Sequence, residues 1–138
     1  MFKQSYVKVP LLLALAAGVT LTATRAEAQS SPSGSYLFKN YCATCHGKDG
    51  KGDGPLASQL RFAPADLTLF AKRNGGYSTD LVFRIIDGRK ALKGHGGPDM
   101  PVWGDVFKRT TDGYSEEKVK EKIDALVEFV KTLQVETK

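Results

Sequence analysis

The run Cys42-Ala43-Thr44-Cys45-His46 constrains this chain more than any other part of it. It holds both cysteines of a 138-residue sequence and one of its two histidines. The spacing C-x-x-C-H is the attachment pattern of c-type haem. Two sulfurs three residues apart lie one helical turn from each other, close enough for both to meet the vinyl groups on neighbouring pyrroles. The histidine follows at once and brings its imidazole under the iron as a proximal ligand. A chain that commits two covalent anchors and one axial ligand in five residues must wrap the rest of itself around a flat, apolar macrocycle.

Other uses of the same residues fit less well. A thioredoxin-like dithiol needs a βαβ setting, and no segment here alternates with strand period. A zinc site would require the adjacent Cys45 and His46 to share one tetrahedral centre. The glycine-rich run Gly47 to Pro55 lacks the alternating acidic ligands and terminal Glu of a calcium loop.

The first 28 residues read as a secretory signal rather than as part of the domain. Lys3 and Lys8 precede an apolar run beginning at Leu11, and Ala26-Glu27-Ala28 has the form of a cleavage site. The apolar run is shorter than the roughly 20 residues that span a bilayer. The expected organisation is therefore a cleaved segment 1–28 and one domain over 29–138, with no membrane-spanning segment after cleavage. After export to the periplasm such a cysteine pair would normally oxidise, and haem attachment is the use that consumes both thiols. Export also argues against nucleic acid as a partner. The segment that remains has 17 basic and 14 acidic residues, only a mild positive balance. So short a domain has a modest core of its own, and a buried haem would supply much of the missing apolar surface.

The local patterns are helical. Ser31 or Ser33 caps a helix that carries Leu37, Phe38 and Tyr41 into the C-x-x-C-H turn. A second helix runs from about Ser78 to Asp87 and stops at Gly88. A third begins after Ser115, with Val119, Ile123, Leu126, Val127, Val130 and Leu133 in one stripe. Residues 56–76 show no clear period.

Iron held by His46 has a second axial position, and Met100 is the candidate for it. Met100 is the only methionine besides Met1, and it sits between Pro98 and Pro101 after a glycine-rich stretch. Such a loop presents a thioether to a metal more readily than it packs one into a core. His95 is the rival, and Lys93 is a further substitute at alkaline pH.

These features together resemble a bacterial class I cytochrome c. The resemblance rests on Cys42 to His46, the Gly50-x-Gly52-Asp53-Gly54-Pro55 run and Met100-Pro101-x-Trp103, and it extends over residues 34 to about 133. It implies a small all-α cytochrome c fold, about three to five helices around one covalently bound haem c. It also implies that Gly34 and Phe38 meet Leu126 and Phe129 where the first and last helices cross. The family usually offers a proline carbonyl to the Nδ1–H of the proximal histidine. Pro55 is the candidate here, with Leu56 and Pro64 as alternatives. Haem propionates need donors, for which Trp103, Tyr77, Arg61 and Arg84 carry suitable groups.

The expected function is electron transfer in the periplasm by a six-coordinate His/Met haem cycling between Fe(II) and Fe(III). It is not an enzyme in its own right, because both axial sites are filled. The alternative is a haem-bearing subunit through which electrons enter a larger oxidoreductase complex. The expected partners are a redox protein donor and acceptor with acidic docking surfaces. Lys48, Lys51, Lys72, Arg89, Lys90 and Lys93 would steer them, with rates falling as salt rises.

Overall fold

A computed structural model describes residues 31–90, 100–109 and 115–135. The expected signal segment, and with it Lys93, His95 and Pro98, lies outside them. Among the described residues there are six α-helices and two short 3-10 turns, with no strand. The helices are α1 (Gly34–Tyr41), α2 (Ala43–His46), α3 (Phe70–Asn74), α4 (Thr79–Asp87), α5 (Trp103–Lys108) and α6 (Glu116–Thr132). The all-α reading holds. The helix number exceeds expectation because the C-x-x-C-H turn forms a helix of its own, and α3 and α5 are short elements without a legible period.

The expected caps are in place. The Ser33 hydroxyl accepts from the Tyr36 amide, that of Ser78 from Leu81, and that of Ser115 from Lys118. Each satisfies an amide that has no partner inside its helix. Glu116 and Glu117 lie in the first turn of α6, where the helix dipole favours negative charge.

Packing centres on α6, which contacts α1, α4 and α5. Val119, Ile123, Leu126, Val127 and Val130 are all buried, and Leu133 is partly so. Leu37 and Phe38 of α1, Val82 and Ile86 of α4, and Phe107 of α5 complete the core. The crossing of α1 and α6 is close. A Cβ at Gly34 would fall 2.0 Å from the carbonyl oxygen of Ala125 and 2.8 Å from the Cβ of Phe129. Phe38 and Phe129 meet there with ring centroids 5.1 Å apart.

The glycine-rich run turns back beneath α2. The amides of Gly52, Gly54 and Leu56 donate to the carbonyls of His46, Cys45 and Thr44, at 2.7, 3.1 and 2.9 Å. The helix that carries the haem motif thus has its exposed C-terminal carbonyls closed by a loop. At Gly52 this needs a positive φ of 81°, and a Cβ there would meet the Pro64 carbonyl oxygen at 2.4 Å. That contact brings residues 64 and 65 next to α2. The following stretch is tied to the end of α6. The Gln134 amide donates to the Leu67 and Val130 carbonyls, and its oxygen accepts from the Ala71 amide, each at 2.8 Å. Among the described residues, no helix is long and apolar enough to cross a membrane.

Candidate functional site

The helices enclose a cavity of about 460 Å³, within the range of about 300–1,000 Å³ common for cofactor sites. Cys42, Cys45 and His46 line it, as does Met100. Most of the remaining wall is apolar: Phe38, Tyr41, Leu67, Phe70, Val82, Ile85, Ile86, Trp103, Leu126 and Val130. Tyr41, Trp103 and Phe107 form an aromatic group behind one side, with centroids 5.3–5.7 Å apart.

The motif is held by backbone bonds. The Cys45 and His46 amides donate to the Cys42 carbonyl at 3.1 and 2.9 Å, so both sulfurs and the ring issue from one turn. Both thiols are free and partly exposed. Burial, and then the neighbouring Cys45, pushes the Cys42 thiol up to about 12. The isolated polypeptide therefore holds that sulfur as a neutral thiol.

His46 Nδ1 lies 3.0 Å from the carbonyl oxygen of Ala65. A carbonyl can only accept, so Nδ1 carries the proton and donates. Burial lowers the pKa of the ring, against the opposing effect of this hydrogen bond, and favours the neutral imidazole. Nε2 is then left with a free lone pair, the form in which histidine ligates a metal. The fixed Nδ1–H bond sets the ring orientation and increases its donor strength. Two thiols on one turn, a neutral imidazole with Nε2 free, and a thioether in one apolar cavity are a donor set that fits haem c.

Residues 29–130 match the family model described as cytochrome c oxidase, cbb3-type, subunit III. The chain belongs to this family. It is also 32% identical over 107 residues to the cbb3-type cytochrome c oxidase subunit FixP of Azorhizobium caulinodans, a match that covers 78% of this chain. The chain spans 28% of the length of that relative. No solved structure matches it. Membership makes this a bacterial c-type cytochrome domain, with haem c as the implied cofactor and electron transport as its general role.

Other expected site residues are distributed differently. Pro55 is exposed and does not line the cavity. The carbonyl that meets His46 belongs to Ala65, 19 residues along the chain. The physical reason is the folding back of residues 47–56: that loop serves the carbonyls at the end of α2, and residues 64 and 65 are left beside the ring. Trp103 lines the cavity, but three other expected propionate donors do not. Arg61 lies over the Phe62 ring, 5.5 Å from its centroid. Arg84 pairs with Asp80 at 2.8 Å on the surface of α4. Tyr77 donates its hydroxyl to the Val127 carbonyl at 2.6 Å and so joins the segment before α4 to α6.

Arg73 and Asn74, from α3, do line the cavity. Sequence reasoning missed both, and the one available signal was a basic and amide pair just before Gly75-Gly76, the mark of a helix C-terminus. The expected docking cations are also placed otherwise. Arg89 is tied to Asp87 and Glu116, at 2.7 Å each. Lys48 pairs with Asp49 at 3.3 Å. None of Lys48, Lys51, Lys72, Arg89 or Lys90 borders the cavity, whose exposed lining residues include Phe62, Ala63 and Pro101.

Proposed function

We propose that this chain is the periplasmic haem c domain through which single electrons pass into a cbb3-type oxidase complex. On this reading residues 1–28 are removed on export and residues 29–138 form the working domain. Cys42 and Cys45 would hold one haem through two thioethers, and His46 Nε2 and the Met100 sulfur would ligate its iron. Bound haem supplies a one-electron Fe(II)/Fe(III) couple.

The chain's own residues do the rest. Burial keeps the His46 ring neutral, and the Ala65 carbonyl keeps it oriented and strongly donating. Met100 offers a soft sulfur that favours the ferrous state relative to a second histidine. Phe38, Val82, Ile86, Leu126 and Val130 exclude water, which raises the cost of charge on the metal. With His46 and Met100 both holding the iron, substrate would have no place there, so the domain would carry electrons and leave oxygen chemistry to other subunits.

The observation that carries this reading is the His46 ring held at 3.0 Å by Ala65 in the cavity that Cys42, Cys45 and Met100 also line. By itself the sequence favours a freely diffusing shuttle. Family membership gives more support to the subunit. Gentle solubilisation of membranes from the native source tests the choice. Co-elution of this chain's haem with the oxidase supports a subunit, and its recovery mainly as a small free protein contradicts one.

A further inference from the structure

Four charged side chains form a line along α5, the helix that begins shortly after Met100. Asp87, at the end of α4, is 9% exposed and accepts from Nε of Arg89 at 2.7 Å. Nη1 of Arg89 donates to both carboxylate oxygens of Glu116, at 3.0 and 2.7 Å. Glu116 opens α6 and also pairs at 3.2 Å with Lys108, in the last turn of α5. The line therefore ties the end of α4 and the start of α6 to the far end of α5.

The near end of α5 is gripped by the same ion pair. Gly104 is buried. A Cβ built on it would fall 2.3 Å from Oδ1 of Asp87 and 2.4 Å from Nε of Arg89. The pair thus sits directly on the α5 backbone, with no room for a side chain between them. Gly88 follows α4 with a left-handed φ of 67°, and a Cβ there would lie 3.3 Å from the Cα of Val102. Residues 87–89 are in this way seated against residues 102–104. Met100 and Trp103, from the same stretch as Gly104, both line the cavity. Helix α5 has six residues, too few to hold a helix by itself in water. Its position comes from its neighbours. Trp103 and Phe107 pack on the Tyr41 ring, with centroids at 5.6 and 5.3 Å. The ionic line holds Gly104 and Lys108, which lie one turn apart on the helix surface.

We propose that the line Asp87–Arg89–Glu116–Lys108 is a latch that keeps Met100 at the iron, with Arg89 as its positioning residue. The assignment rests on the His/Met haem reading above. Arg89 suits this place because its planar fork serves two carboxylates at once through different nitrogens. Its removal leaves Asp87 unpaired against Gly104 and disconnects Glu116 from α4. Helix α5 then shifts more freely, and the Met100 segment attached to its start moves with it.

The test is the entry of imidazole into the ferric holoprotein, followed by loss of the weak far-red sulfur–iron band. An imidazole nitrogen takes the position that the Met100 sulfur leaves, and no electron moves. At high imidazole the rate levels off at the rate at which Met100 lets go. In R89A this limiting rate should rise about tenfold or more, the scale of losing a charged hydrogen bond. G104A should raise it as well, because the added methyl displaces the ion pair although alanine favours the helix. E116Q changes an exposed position, keeps the fold and should raise the rate roughly threefold. G34A, which loosens the crossing of α1 and α6, should keep the wild-type rate, and this separates the latch from general instability. A wild-type limiting rate in R89A, or in E116Q where R89A does not mature, would overturn the proposal. So would a rise in G34A equal to that in R89A. A wild-type protein without the far-red band would instead refute Met100 ligation, the reading on which the latch depends.

Discussion

Replacing Gly34 by alanine tests how the two terminal helices create the envelope. The new methyl would lie 2.0 Å from the Ala125 carbonyl oxygen and 2.8 Å from both the Ala125 carbonyl carbon and the Phe129 Cβ. Two of these three atoms are backbone, so no rotamer change relieves the clash, and α1 must move about 1 Å away from α6. A gap of ~0.5–1 Å forfeits roughly a quarter to a half of the dispersion well of the atoms facing it. Leu37 and Phe38, each 2% exposed, are the residues that α1 buries here. Their burial is worth about 1.5–3 kcal/mol each, so the loss is ~1–3 kcal/mol. Alanine returns at most about 0.5–1 kcal/mol through its better helix propensity. The expected net destabilisation is ~1–2 kcal/mol, or a fall in Tm of roughly 5–15 °C for a domain of this size. Thermal unfolding of the holoprotein, followed by far-UV circular dichroism and by haem absorbance, measures it. Lys39→Ala, an exposed change on the same helix, should stay within about 0.5 kcal/mol of the wild type. A G34A protein as stable as the wild type, or more so, would refute the close-crossing explanation.

Two further substitutions address the joints around the cavity. Burial first, and then the charge of Glu128, hold the Tyr77 phenol above its ordinary pKa. The folded state therefore binds this proton more tightly, and the resulting stability is complete below about pH 10, the ordinary tyrosine value, and declines as the pH rises further. Tyr77→Phe should cost about 1 kcal/mol at neutral pH through the lost bond to Val127. It should also flatten the alkaline decline, and an unchanged slope in denaturant titrations above pH 10 would contradict this. At the other end of α4, Asp87 is nearly buried and depends on Arg89 at 2.7 Å. Arg89→Ala should cost ~2 kcal/mol by leaving that carboxylate unpaired. Glu116→Gln, at an exposed position that also contacts Lys108, should cost less than about 1 kcal/mol. Equal effects in urea unfolding would show that burial of Asp87 is not what gives Arg89 its importance.

The parts of the fold that read directly from the sequence are those set by local rules. The stripe from Val119 to Val130 lies one helical turn at a time along α6, and five of its positions are buried as the spacing requires. Ser33, Ser78 and Ser115 act within three residues of themselves. What escaped was set by chain return. The acceptor for His46 is 19 residues away and is delivered by a loop that first closes the end of α2. Nothing in the neighbourhood of Pro55 encodes that route. Helix α3 has five residues, too few to show a period, and Gln134 stabilises its start from 63 positions away. Arg73 could therefore not be distinguished from a surface cation. Arg89, one of the cations expected around the haem edge, looks free in the sequence because Glu116, its partner, lies 27 residues further on.

The central claim is a covalently held haem with His46 and Met100 as its axial ligands. An optically followed redox titration of the purified holoprotein tests it most directly. One reversible one-electron transition is expected. The oxidised form should be low-spin, with the weak far-red band of a sulfur–iron bond, and the band should be absent from Met100→Ala. A high-spin oxidised form of the wild-type protein, lacking that band, would contradict it.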